Sequence, residues 1–149
     1  MADGLTESWK SGWSTFTHAT FQNEEFVAFL EEHGVSWVNV DQPLFHESVK
    51  PSDTVTGPLG YVRLHGRNYE KWFQHAESWE RYNYLYSAEE LSPWVERIKA
   101  MAREKEAYVI TNNHFRGQAI VNAAELKEAL GIEGKVPPQL KETYPGRFA

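Results

Sequence analysis

The residues able to do chemistry in this 149-residue chain gather in three short stretches. In Tyr61-Val-Arg-Leu-His65 apolar and polar positions alternate, so Tyr61, Arg63 and His65 share one face of a strand and Val62 and Leu64 the other. Arg67 follows just beyond that strand. A guanidinium keeps its charge and presents a planar fork that fits carboxylate or phosphate, so Arg63 and Arg67 are candidate anion-binding residues. A structural ion pair is the competing role for Arg63, because a buried charge requires a partner. His65, with an ordinary pKa of about 6.5, suits general acid or base work; the plainer reading is a hydrogen-bonded histidine at a strand end. In the second stretch, Asp41 closes the apolar run Val35–Val40 ahead of Gln42-Pro43, where it either orients His65 or ends the strand in a turn. In the third, Asn112 and Asn113 follow Tyr108-Val-Ile-Thr and offer paired amides for a hydroxyl-rich or phosphorylated ligand, or form a polar turn. Tyr86, in the Tyr82-Asn-Tyr-Leu-Tyr86 run, either walls a pocket or packs on its rim.

Other chemistries find less support. With no cysteine, disulfides and thiolate metal sites are excluded. His65, His114 and Asp41 could in principle ligate a divalent ion, but no His-x-x-x-His spacing or acidic cluster supports it, and no metal or other cofactor is expected. There is no Ser-His-Asp signature, Walker-type glycine loop or dinucleotide fingerprint. The formal net charge of −6 disfavours broad binding to nucleic acid while leaving room for a local basic pocket, so a small anionic molecule is the expected partner. No apolar run reaches the roughly 18 residues of a membrane span, and Met1–His18 lacks the charged and apolar regions of a signal peptide. A cytoplasmic globular protein is the resulting expectation, with 41% hydrophobic and 24% charged residues in ordinary balance.

The elements that must position these residues follow from periodicity and punctuation. Asn23 caps a helix running to His33, with Gly34 as its stop. Strands over Val35–Val40, Gly60–His65 and Tyr108–Asn113 alternate with helices. Ser87-Ala-Glu-Glu90 is a capping box, and Leu91, Trp94, Val95, Ile98 and Met101 recur at helical spacing behind it. A last long helix spans about Gln118–Leu130, with Ile120, Ala123, Ala124 and Leu126 read as its inward face and Asn122 as bonded to a neighbouring loop. The proline-containing tail reads as a short helix. Strands alternating with helices predict an α/β fold with a parallel sheet.

Tyr61-Val-Arg-Leu-His-Gly-Arg-Asn68, Tyr84-Leu-Tyr86 and Asn112-Asn-His-Phe-Arg-Gly-Gln118 with Val121-Asn-Ala123 together resemble the YecE-like family (domain of unknown function 72), from about Glu24 to Tyr144. The resemblance implies a (β/α)₈ TIM barrel of which this chain carries the C-terminal half, the last three to four units. Residues 1–20 would then be a divergent lead-in and 21–149 the half-barrel. The family's fifth strand carries a Glu-x-Arg-His-x-Ser-like sequence; Thr15-Phe-Thr-His-Ala-Thr20 keeps His18 and has Thr15 and Thr17 in place of the acid and arginine.

In such a barrel the site forms at the C-terminal ends of the strands. With Trp37, Asn39 and Asp41 facing the lumen, Asp41, His65 and Asn112 would converge at the mouth, with Arg63 one layer deeper. The implied function is a pocket for a small anionic or polyhydroxylated ligand, with hydrolase or isomerase chemistry. Arg63, Arg67, Asn112, Asn113 and Tyr86 would bind the ligand, and His65 and Asp41 would handle the proton. The alternative is a non-catalytic fragment or interaction module. A half-barrel leaves sheet edges open, and a homodimer is one way to complete it.

Overall fold

A computed structural model describes residues 13–14 and 17–148. Four strands, β1 (Trp13–Ser14), β2 (Ser36–Asp41), β3 (Gly60–Leu64) and β4 (Ala107–Thr111), form one all-parallel sheet in the order β1-β2-β3-β4. The expected lead-in falls mostly outside the described residues; within it, Trp13–Ser14 pairs with Ser36–Trp37 and so adds a strand ahead of the three read from the sequence.

Among the described residues four α-helices connect and cover the strands: α1 (Glu24–Glu32), α2 (Ala88–Glu104), α3 (Gln118–Ala129) and the short α4 (Pro138–Thr143). Their ends follow the local chemistry. The Asn23 side chain accepts the Phe26 N–H at 2.9 Å to start α1. At α2, Ser87 Oγ accepts the Glu90 N–H while Glu90 Oε2 accepts the Ser87 N–H, the reciprocal box that the sequence predicts. Gly131, at φ +70°, takes the left-handed turn that follows α3.

Two apolar clusters hold the layers together. The larger packs Val62 and Leu64 of β3 against Tyr86, Leu91, Trp94, Val95, Ile98 and Met101, with Leu126 of α3. The smaller joins Leu30 of α1, Trp37 of β2 and Val49. The inward face of α3 agrees with the sequence reading at Leu126 but otherwise differs: Ala119, Val121 and Asn122 are buried, while Ile120 is 54% exposed. The polar Asn122 is drawn inward because its amide bonds both backbone groups of Tyr86 and the Asn113 side chain.

The register settles which strand faces point where. Parallel partners put their side chains on the same side of the sheet. Asn39 pairs with Val62 and Asp41 with Leu64, and Val62 and Leu64 pack on α2. The expectation that Trp37, Asn39 and Asp41 face away from the helices is therefore wrong: the face opposite the helices carries Val38 and Val40, beside Tyr61 and Arg63. Asn39 is a polar stitch within the helix side, taking Ser52, Thr54 and Met101 as partners. In β4, Tyr108 and Ile110 pair with Tyr61 and Arg63 and are 45% and 39% exposed.

Candidate functional site

The ends of β2 and β3 and the loops beyond them bring together most of the residues singled out from the sequence, but in two separate groups. The first is buried and self-contained. Asp41, whose side chain is 1% exposed, lies at the end of β2 on the helix side. Arg67 Nε and Nη2 donate to its two oxygens at 2.9 and 2.7 Å. Tyr86 Oη donates to Oδ1 at 2.8 Å, and the Trp94 indole N–H donates to Oδ2. Glu90 approaches the other end of the guanidinium at 3.5 Å. The hydrogen bond to Asp41 pushes Arg67 above its ordinary pKa, and burial followed by the Asp41 charge pushes the Tyr86 phenol up strongly. Every face of this carboxylate is taken. The Asp41 carbonyl accepts the His65 N–H, and its carboxylate makes no hydrogen bond to the His65 ring, so of the two roles read for Asp41 the tautomer-setting one does not form.

Asn113 and Tyr86 belong to the same interior. Both are fully buried. Asn113 donates to the Tyr84 carbonyl and to Asn122, and Tyr86 Oη also accepts the Gly66 N–H at 2.8 Å. Gly66 has φ +91°, and a Cβ there would sit 2.7 Å from Tyr84 Cβ, so this turn admits glycine for both reasons.

The second group opens to solvent. A cleft of about 720 Å³ lies on the other side of β3, lined by Arg63 and His65 together with Gln42, Phe45 and Glu47 from the loop after β2 and Trp72, Phe73, Arg81 and Tyr82 from the loop after β3. Arg63 Nε donates to Asn112 Oδ1 at 3.1 Å, so Asn112 stands behind the cleft as a partner of Arg63. Arg81 lies over the Trp72 ring at 5.3 Å, and its Nε is buried without a hydrogen-bond partner. Among the described residues neither Arg63 nor Arg81 pairs with a carboxylate, and the acid that lines the cleft, Glu47, is engaged by His18 at 3.0 Å. His65 stands between the Trp72 and Tyr82 rings, 6.3 and 6.2 Å away, with its Nδ1 buried and unpartnered. Burial first, then the Arg63 charge, lowers its pKa to about 4, with Arg81 adding to the effect and Asp41 opposing it. Burial and the Arg63 charge both favour the uncharged imidazole.

Of the residues read from the sequence, Arg63 and His65 line this cleft and Asn112 bonds Arg63, whereas Asp41, Arg67, Asn113 and Tyr86 lie in the interior behind it. Arg81, Trp72, Tyr82, Phe45 and Phe73 were missed. The signal for all but Phe45 was the concentration of aromatic and basic residues in the long stretch from Tyr69 to Tyr82 after the second predicted strand, where sites on parallel sheets form. His114 meets Tyr82 at 5.3 Å with the ring planes tilted by 36°, and no cluster of three potential metal ligands occurs among the described residues.

The profile of the family described as "Protein of unknown function DUF72" matches residues 15–146. The chain belongs to this family. It is 30% identical over 128 residues to the UPF0759 protein YunF of Bacillus subtilis (strain 168), covering 78% of this chain and 45% of YunF. A DUF72 family crystal structure from Thermotoga maritima MSB8 superposes with a TM-score of 0.74 at 40% identity, covering 80% of this chain and 45% of that one. A second, from Enterococcus faecalis V583, gives 0.71 at 27% identity, covering 85% and 50%. The chain thus spans about half the length of the DUF72 relatives it matches. These likenesses fit a TIM-like α/β fold. No described helix is long and apolar enough to cross a membrane.

Proposed function

We propose that the cleft beside β3 binds a small anionic molecule between Arg63 and Arg81, with His65 as a neutral proton acceptor and Asn112 holding Arg63 in place. The observation that carries this reading is the contrast between neighbouring arginines. Arg67 is saturated by Asp41, while Arg63 and Arg81 line the cleft with no carboxylate partner among the described residues, Arg81 with a buried N–H left over. Unpaired guanidinium groups in a partly desolvated cleft favour an anion arriving from solution. A bound anion offsets their repulsion of the imidazolium, so binding raises the His65 pKa from about 4 toward the range in which a general base works well. Hydrolase or isomerase chemistry is compatible with one such base, and the reaction itself is left open.

The test is a calorimetric titration with inorganic phosphate, paired with NMR observation of the His65 ring across pH. Expected are saturable binding, its loss in Arg81→Ala, and an upward shift of the His65 titration on adding phosphate. A titration curve that phosphate leaves unmoved would sink the reading.

We further propose that the sheet is completed by a second copy of the chain. Among the described residues β4 pairs only with β3, and its face bears the exposed Tyr108 and Ile110. Four parallel strands related by a two-fold along the sheet's curl axis give eight parallel strands, with each β4 meeting the partner's β1. Sedimentation equilibrium should find twice the chain mass, and Ile110→Asp should return it to a monomer. A monomeric wild type refutes the proposal and favours a non-catalytic fragment.

A further inference from the structure

Phe73 is 72% exposed, Tyr69 50% and Phe45 36%, and Phe73 is the most exposed large ring among the described residues. They form one group: Phe45 and Phe73 lie 4.8 Å apart with their planes tilted by 46°, and Phe45 meets Tyr69 edge-on at 5.6 Å. Their origins differ, Phe45 coming from the loop after β2 and Tyr69 and Phe73 from the loop after β3, so local sequence does not explain their meeting. The loops are pinned to each other where the rings meet, the Leu44 N–H donating to Tyr69 Oη at 3.0 Å. The loop after β3 is braced again at its base, where Asn68 bonds the Glu80 and Asn83 carbonyls and Lys71 pairs with Glu80 at 3.1 Å. An exposed pair of rings on braced loops is a preorganised apolar surface.

Phe45 and Phe73 line the same cleft as Arg63, His65 and Arg81. We infer that the anion this cleft takes is carried on a planar ring, and that Phe45 and Phe73 seat that ring while Arg63 and Arg81 hold the charged group. Tilted rings leave a wedge that suits offset or edge-to-face packing against a third ring, and such contacts add to simple area burial. The inference rests on the anion reading and narrows it to a substrate class: ring-bearing phosphates or carboxylates rather than free inorganic anions or open-chain polyols.

The experiment compares three probes by calorimetry on the full chain: inorganic phosphate, cyclohexyl phosphate and phenyl phosphate. Phenyl phosphate should bind about tenfold more tightly than inorganic phosphate. Phe73→Ala, at an exposed position that leaves the core untouched, should erase that gain. Equal affinity for phenyl and inorganic phosphate overturns the ring seat while the anion site stands. Equal gains for cyclohexyl and phenyl phosphate also overturn it, in favour of a merely apolar group. Absence of binding by all three overturns both readings.

Discussion

Replacing Asp41 by alanine should be among the most damaging single changes this chain can suffer. The carboxylate is 1% exposed and receives two hydrogen bonds from Arg67, one from Tyr86 and one from Trp94. Its removal leaves a guanidinium, a phenol and an indole N–H facing an empty apolar space. Breaking a buried pair from one side costs about 3–5 kcal/mol, and each stranded neutral donor adds a cost of about 1–3 kcal/mol before relaxation. Three circumstances soften the sum. Arg67 is 29% exposed and can reach water, Glu90 lies 3.5 Å away as a substitute, and the smaller alanine leaves room for the stranded donors to shift. A net loss of about 3–4 kcal/mol follows, a large part of the roughly 5–15 kcal/mol that holds a domain folded. Asp41→Asn keeps the shape and one acceptor and should lose about 2 kcal/mol. Adding Arg67→Met to Asp41→Ala should recover part of the loss, because it removes the uncompensated charge. Urea unfolding followed by tryptophan fluorescence reads all three, since Trp94 touches the carboxylate. An Asp41→Ala loss below about 1 kcal/mol, or a double variant no better than the single, would show that the network is not the buried anchor described above.

The remaining predictions concern smaller contributions. In the unfolded chain His65 takes up a proton near pH 6.5, and in the folded chain only near 4, so the unfolded state binds more protons between those values. Its contribution is therefore fully present above about pH 6.5 and is lost as pH falls toward 4; wild type should lose on the order of 2 kcal/mol more than His65→Gln between pH 7 and pH 5, and parallel urea curves for the two would refute this. Gly66→Ala puts a Cβ 2.7 Å from Tyr84 at φ +91° and should cost about 1–3 kcal/mol by thermal unfolding. Ser87→Ala removes half of the α2 capping box and should cost about 1 kcal/mol in the same assay, with a change below a few tenths counting against the box.

Much of the framework was legible in the residues because local rules dictate it. The caps at Asn23 and Ser87, the stop at Gly131 and the alternation in Gly60–His65 each depend on neighbours in sequence, and each appears where those rules put it. The segments Tyr61–Asn68, Tyr84–Tyr86 and Asn112–Ala123 together indicated the family that the profile match then showed. What could not be read was decided by partners distant in the chain. Asp41 reads as a strand end, yet it faces the helices because β2 registers Asp41 beside Leu64, and it recruits Arg67, Tyr86 and Trp94 from 26, 45 and 53 positions away. Arg67 and Arg63 look alike in sequence; only the register makes one an internal ion pair and leaves the other at an open cleft. Arg81 carried no motif at all, and its place beside Trp72 and His65 exists only because the loop after β3 folds back over the strand ends. Local sequence determines where elements start, stop and alternate, since those preferences act within a turn or a pleat; the tertiary structure decides which charges are neutralised, since that depends on which atoms meet across the sheet.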